Sequence, residues 1–387
     1  MIKFYTAGES HNKALVVFLE GLPSGLRISK EKIKYELIRR KKTYGRSQRQ
    51  TFEEDKFEFL SGIRYNETIG SPICVVIWNK DYREEEFELK NNKTAQEQLV
   101  PRPGHTDLVG IMKYLREDIK DILERASARE TVARVVAGSL CKQFLGNFGV
   151  FIGSFVTKIY NVELKENYIT ANSSVLKKLH NLAESSSVRF PDKQKEEKII
   201  KIIEETKNKK DTLGGEFVVF ACNVPVGLGS HIQWDKRLNA KIAYYLSSIP
   251  SVKSVEIGLG KEYSNFFGSQ VHDEIFYNNK KNFYRKTNNA GGIEGGISNG
   301  QPIVVRCTIK PIPTLLNPLN SVNIKTKKQA KADIVRSDIC VAASAAVIAE
   351  AMLAICLADE FKIKFGGDSM KEVSQNYKNY LNLLKKI

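Results

Sequence analysis

Residues 291–310 read GGIEGGISNGQPIVVRCTIK. Five of the first ten are glycine, a density that lets a backbone approach a flat or phosphorylated ligand closely. The run after the glycines, 302–310, decides the fold class. It is rich in β-branched residues and reads as a strand. A dinucleotide-binding loop would have the spacing GxGxxG and would open a helix. This loop does neither, so a doubly wound parallel sheet is disfavoured. No GxxxxGK[ST] occurs anywhere in the chain, which excludes a P-loop ATPase.

On the C-terminal side, the run 339–358 is Ala-rich, with Glu350 near its centre, and reads as a buried core helix rather than a membrane span. A terminal amphipathic helix is predicted over 370–385. Upstream, strands are predicted at 2–6, 14–19, 56–60, 73–78, 150–159, 216–224 and 254–258. Helices are predicted at 30–42, 106–148 and 234–248, with Thr106 as N-cap and Gly149 past the C-terminus. Strand-rich blocks and long helices alternate along the chain without regular βαβ units, which points to α+β layers. One domain over residues 1–387 is expected. Residues 161–212, with a charge-laced helix at 193–210, read as a peripheral insertion.

A chain of 387 residues can build a large core without disulfides or metal. Lys plus Arg outnumber Asp plus Glu by 60 to 44, so the net charge of +16 predicts an anionic partner. The six cysteines form no CxxC pair and lie mostly in apolar runs, which reads as buried free thiols in a reducing compartment, with no metal site. The N-terminus lacks the pattern of a signal peptide, and a cytoplasmic protein is expected.

Among the five histidines, His180 and His272 sit in polar stretches and read as solvated, and His231 comes after a glycine turn. His11 lies in GESHN between two strands, and His105 in PRPGH, fixed by Pro101, Pro103 and Gly104. Loops on rigid flanks are where a general acid or base is mounted. The densest basic stretch is RRKKTYGRSQR, residues 39–49. Lys41 and Lys42 suit a helix C-terminus. Arg46 and Arg49, in a loop after Gly45, suit bidentate grip on phosphate or carboxylate. RASARE, residues 125–130, brings Arg125, Ser127 and Arg129 together, either as phosphate partners or as surface pairing. KPIPT, residues 310–314, adds a cation and a hydroxyl after the glycine loop.

In order, GESHN, EGLPSGL, RRKKTYGRSQR, LSGIRYNETIGSPI, RPGHTD, RASARETVARVVAGSL, DTLGGEF, VPVGLGS, SVEIGLG, GGIEGGISNG, KPIPT and EAMLAICLAD span residues 8–359. The ordered set resembles the chorismate synthase family. The resemblance implies a lyase that converts 5-enolpyruvylshikimate 3-phosphate to chorismate by anti-1,4-elimination of phosphate, the last step of the shikimate pathway toward the aromatic amino acids. It implies a requirement for reduced FMN, with NADPH as a possible reductant. It also implies a homotetramer whose fold is a β-α-β sandwich, long helices between antiparallel sheets.

Position by position, the resemblance makes His11 and His105 the active-site histidines and proton donors. Asp338 matches the base of the hydrogen-loss step. Ser10, Arg46, Arg49 and Arg129 match residues that grip the substrate. Arg40 and Arg46 match positions associated with NADPH. FMN contacts map to Arg125, Ala126 and Ser127, to Pro250 and Ser251, to Gly295, to Lys310, Pro311, Ile312, Pro313 and Thr314, and to Arg336.

Three positions depart from the family pattern. Asn12 stands where the family has Gly. Ser337 stands in an Arg-His-Asp motif, which loses an imidazole. Ala343-Ser344-Ala345 replaces Pro-Arg-Ala, which loses a cation. A catalytically weakened FMN-binding homologue is therefore one alternative. A basic nucleic-acid-binding protein is the other, although no basic-aromatic repeat, helix-turn-helix or zinc motif accompanies the charge. No nucleic-acid or membrane partner is expected.

Overall fold

The computed structural model describes residues 1–45, 54–80, 82, 97–279, 282–334 and 338–387. The strands that build the core are β1 (Lys3–Gly8), β2 (Ala14–Glu20), β3 (Phe57–Ser61), β4 (Ile73–Trp78), β5 (Phe151–Ile159), β6 (Val162–Glu163), β7 (Gly215–Cys222), β8 (Val252–Ile257) and β9 (Ile303–Ile309). The helices are α1 (Lys30–Lys41), α2 (Asp107–Tyr114), α3 (Lys120–Ala126), α4 (Thr131–Gly146), α5 (Ser173–Glu184), α6 (Lys193–Asn208), α7 (Leu238–Ser247), α8 (Ala342–Phe365) and α9 (Met370–Leu384).

Two antiparallel sheets form, in the orders β1-β2-β4-β3 and β8-β9-β7-β5-β6. Cross-strand register explains the inner face of the first. Leu15 pairs with Ile77, Val17 with Val75 and Leu19 with Ile73, and all six are buried. Period-2 alternation puts each strand's three on one side. That side meets α4, which packs in turn on α8, and α8 lies along β5 and β7 of the second sheet. The expected sandwich, helices between antiparallel sheets, is what forms.

Close contact between α4 and α8 depends on small residues. A Cβ on Gly138 would sit 2.3 Å from Ala351 Cβ and 2.7 Å from Ala351 O. α8 is buried almost throughout. It is long and apolar enough to cross a membrane, yet it is the central core helix. Glu350, its one central charge, is fully buried and receives hydrogen bonds from Arg39 of α1, Lys142 of α4 and Ser154 of β5.

Three expectations need correction. First, 106–148 is not one helical region. Leu115 closes α2 in left-handed geometry at φ 51°, and Ser127 ends α3 in extended geometry. A 3-10 turn, Ala128–Glu130, then leads into α4. Second, the run 150–159 reads in sequence as an alternating strand, but β5 does not alternate in burial. It is buried on both faces because α8 covers one and α5 also packs on it. Third, His180 is buried, not solvated. It lies on α5 against Phe151 and Phe220, its Nδ1 3.1 Å from Ser154 O. Residues 161–212 contribute Leu176, Leu179, Phe190, Ile199 and Ile203 to the same core. All six cysteines are buried free thiols.

Candidate active site

The β1–β2 hairpin positions the first histidine. Gly8 takes φ 91°, and a Cβ there would meet Ala14 O at 2.3 Å, so only glycine lets the strands close. The loop beyond it docks on α3. Ser10 N–H donates to Glu124 O at 3.1 Å, and Ser10 Oγ donates to Ser127 Oγ at 3.0 Å. Glu124 takes His11 twice, accepting its backbone N–H at 2.8 Å and lying 3.0 Å from Nδ1. Arg125 donates to Gly8 O at 2.7 Å and to Thr6 Oγ1 at 3.0 Å. At Asn12 the backbone stays out of the left-handed region, so the Gly-to-Asn departure carries no strain; its Oδ1 accepts the Lys13 N–H at 2.7 Å.

Deeper in, Arg129 and Arg40 converge on Asp55. Arg129 Nη1 pairs with Asp55 Oδ1 and its Nε donates to Asn79 Oδ1 at 2.8 Å, while Arg40 Nη2 stands 3.6 Å from Asp55 Oδ2. All three charged residues are buried. Burial pushes the Asp55 carboxyl up, but Arg40, Arg129 and Lys41 outweigh it and hold it below the ordinary carboxylate range. Arg129 and Arg40 thus serve an internal ion cluster at the floor of this region.

The second histidine is built into a different clamp. His105 Nδ1 lies 2.5 Å from Asp107 Oδ1. Lys310 Nζ donates to Gly104 O, and Lys310 N–H donates to Ser251 O at 2.9 Å. Burial, with help from Lys253, lowers the Lys310 pKa. Arg102 Nη1 donates to Thr314 Oγ1 at 2.9 Å. A pocket of about 540 Å³ opens beside His105, lined also by Arg102, Leu108, Val109 and, from the hairpin that pairs Asn320–Val322 with Gln329–Lys331, by Val322 and the turn residue Ile324.

The two groups join into one circuit. Thr212 Oγ1 donates to Ile312 O at 2.7 Å, and the next residue, Leu213, donates its N–H to Ile339 O at 2.8 Å. Ile339 N–H donates to Gly45 O at 2.9 Å, bringing the residue after Asp338 against the loop that follows α1. On the other side Arg134 binds Glu130 at 2.9 Å and Ser248 O at 3.1 Å, three residues before Ser251. Thr6 Oγ1 donates to Glu130 at 2.9 Å.

Gly295 is the exception. It lies in the 293–298 hairpin, where Gly296 O accepts the Leu238 N–H at 2.9 Å and Gly292 packs on Pro302. That is the start of β9, whereas Lys310 lies just past its end. Seven strand residues at about 3.4 Å each separate them by roughly 24 Å. Arg46, Arg49, Arg336 and Ser337 lie outside the described residues. Ser344 is buried in the first turn of α8, its Oγ donating to Val341 O at 3.4 Å.

A family model, "Chorismate synthase", matches residues 2–361. The chain belongs to the chorismate synthase family. It is 50% identical to the chorismate synthase of Aquifex aeolicus (strain VF5), over 99% of this chain and 98% of the relative. It is 48% identical to that of Endomicrobium trichonymphae, over the whole of both. A crystal structure of chorismate synthase superimposes with a TM-score of 0.83 at 43% identity, covering 100% of this chain and 99% of that one. Chorismate synthases are lyases, and the function of this chain is that of the family.

Sequence reasoning missed Asp107, Arg102, Glu124, Asp55 and Asn79. Asp107 and Arg102 lie inside RPGHTD, where a carboxylate two residues from a candidate histidine was the available signal; Glu124 stands beside RASARE but 113 residues from His11. Asp55 and Asn79 had none, because their partners are distant in sequence. His180, Glu184 and Glu350 have the spacing of a metal site, but Arg39 and Arg189 bind both carboxylates, and Lys142 binds Glu350 as well.

Proposed function

We propose that this chain forms chorismate from 5-enolpyruvylshikimate 3-phosphate with His11 and His105 as proton donors and reduced FMN as cofactor. The observation that supports this reading most is the contact circuit, which ties GESHN, RASARE, DTLGGEF, KPIPT and RPGHTD into one continuous region. The alternatives of a nucleic-acid-binding protein and an inactive homologue are not favoured by whole-length identity to chorismate synthases.

The donor set fits an anionic cofactor. Arg125, Ala126 and Ser127 on one side, and Pro250, Ser251 and the residues Lys310 to Thr314 on the other, would hold FMN, with Arg336. The role of Gly295 rests on the resemblance alone. Reduced FMN supplies the electron density that eases C–O cleavage. Glu124 holds His11 by its Nδ1 edge. Asp338 is the base for hydrogen loss. Ser10 with Arg46 and Arg49 would orient substrate carboxylates and phosphate, each charge-assisted bond contributing about 1.5–3 kcal/mol; a substrate role for Arg129, which Asp55 and Asn79 hold in the interior, rests on the resemblance alone. Arg46 would serve NADPH; the same role for Arg40, which is buried beside Asp55, rests on the resemblance alone. A cytoplasmic homotetramer completes the reading.

Phosphate release tests it. With reduced FMN under nitrogen, chorismate and phosphate should appear without net consumption of reductant. With oxidised FMN in air neither should appear. One reductant consumed per product, or full activity with oxidised flavin, defeats the reading.

A further inference from the structure

His105 is not held by its own loop alone. The carboxylate of Asp107, which is buried, faces its Nδ1 at 2.5 Å. Arg102 takes the rest of that carboxylate. Its backbone N–H and its Nε donate to Asp107 Oδ2 at 3.0 and 2.9 Å, and its Nη2 donates to Oδ1 at 3.1 Å. The remaining arm, Nη1, donates to Thr314 Oγ1.

Hydrogen-bond geometry assigns the imidazole proton. Burial pushes the Asp107 carboxyl up, but the bonds from His105 and Arg102 hold it far below the ordinary carboxylate range, so it is ionised at neutral pH. An ionised carboxylate only accepts. A bare Nδ1 would set two lone pairs against each other at 2.5 Å, so Nδ1 carries a hydrogen. Arg102 Nη2 also passes 3.0 Å from Nδ1 and 3.5 Å from Nε2, but a guanidinium only donates and cannot bond a protonated Nδ1. Its hydrogen goes to Oδ1.

We propose that Asp107 is a positioning residue for the elimination. It fixes neutral His105 as the Nδ1–H tautomer, which makes Nε2 the atom that passes protons at the site. When the imidazolium gives up a proton, the Nε2–H bond breaks, the proton goes to an oxygen of the reactant, and the Nδ1–H bond to Asp107 persists. Arg102 aims the carboxylate and ties it to Thr314, so the histidine loop and the KPIPT loop move as one. This rests on the reading of His105 as a proton donor.

Asp107→Asn carries a definite expectation. The two Arg102 donors at the Oδ2 position hold the amide oxygen there and turn the NH₂ toward His105. Nδ1 then becomes an acceptor and the neutral ring switches to Nε2–H. The wrong tautomer removes the ring's proton-passing role, and a positioned general acid or base contributes about 10²–10⁴-fold.

Nitrogen-15 spectra of histidine-labelled full-length protein test this, with five histidines and the His105 signals assigned by their loss in His105→Ala. Wild-type His105, when neutral, should show hydrogen on Nδ1 and none on Nε2. Asp107→Asn should reverse the two and lower turnover by about 10²–10⁴-fold with little change in KM, because Asp107 is buried against His105 and Arg102. An Nε2–H signal in wild type overturns the proposal, and needs no variant to fold. Unchanged turnover and tautomer in Asp107→Asn overturn it too. Wild-type turnover in His105→Ala would instead remove the underlying reading of His105 as donor.

Discussion

Arg39 and Glu350 meet through two hydrogen bonds, Nη1 to Oε2 at 2.7 Å and Nη2 to Oε1 at 2.8 Å, in the interior of the molecule. The pair joins α1 to the centre of α8. Burial pushes the Glu350 carboxyl up, but Arg39 and Lys142 overcome it and hold the group well below the ordinary range. Glu350→Ala leaves Arg39 with Glu36 and Glu184 only. It should destabilise the fold by about 3–5 kcal/mol, the cost of breaking a buried pair. Replacing both partners, with Arg39→Met and Glu350→Leu, should recover part of that loss. Urea titrations of the three variants measure it. Equal stability of the single and wild-type proteins would refute the role given to the pair.

Gly138→Val tests helix packing. Any Cβ at Gly138 meets Ala351 well inside contact distance, on backbone as well as side chain. Overpacking costs about 1–3 kcal/mol. Gly138→Val should therefore lower the thermal midpoint, and even Gly138→Ala should fail to show the gain of about 1 kcal/mol that helix propensity alone predicts. Calorimetry of both variants decides.

Acid should destabilise the protein in two stages. Burial lowers the His180 pKa below its ordinary 6.5. Burial raises the Glu184 carboxyl, but Arg39 and Arg189 win and bring it to about 2 from 4.5. Both groups are depressed in the fold, so the unfolded chain binds more protons and stability falls as pH falls. The His180 contribution is present above 6.5 and declines as pH drops through that value toward its folded pKa. The Glu184 contribution declines between 4.5 and about 2. Urea midpoints against pH should show both, and His180→Gln should flatten the profile between about pH 7 and 5.

His11→Ala should retain FMN binding and lose turnover by about 10²–10⁴-fold, the usual range for a general acid or base. Flavin fluorescence measures the first and anaerobic phosphate release the second. Turnover near wild type would remove His11 from the mechanism.

Arg46→Ala should weaken substrate binding far more than Lys193→Ala, whose side chain is exposed at the start of α6. Calorimetric titration in the presence of FMN compares them. Equal losses would mean that the basic stretch acts only through net charge.

Elements and family are legible in the amino-acid order alone. Period-2 runs such as 14–19 and the nearly all-apolar 339–358 declare strand and core helix because burial on one or two faces leaves a local signature. Motifs in fixed order carry the activity, since His11, Ser127 and Lys310 sit in short stretches that can be read without neighbours. The burial of His180 and the break at Ser127 needed tertiary structure. His180 looks solvated beside polar neighbours, yet α5 turns it onto Phe151 and Phe220. Glu350 was legible as an oddity in an apolar helix, but its partners Arg39 and Ser154 are 311 and 196 residues away. The same holds for Asp55 under Arg40 and Arg129. A charge in the interior is stable only with a countercharge at hydrogen-bond distance, and which residues supply it is decided by packing between elements that the chain order does not place together.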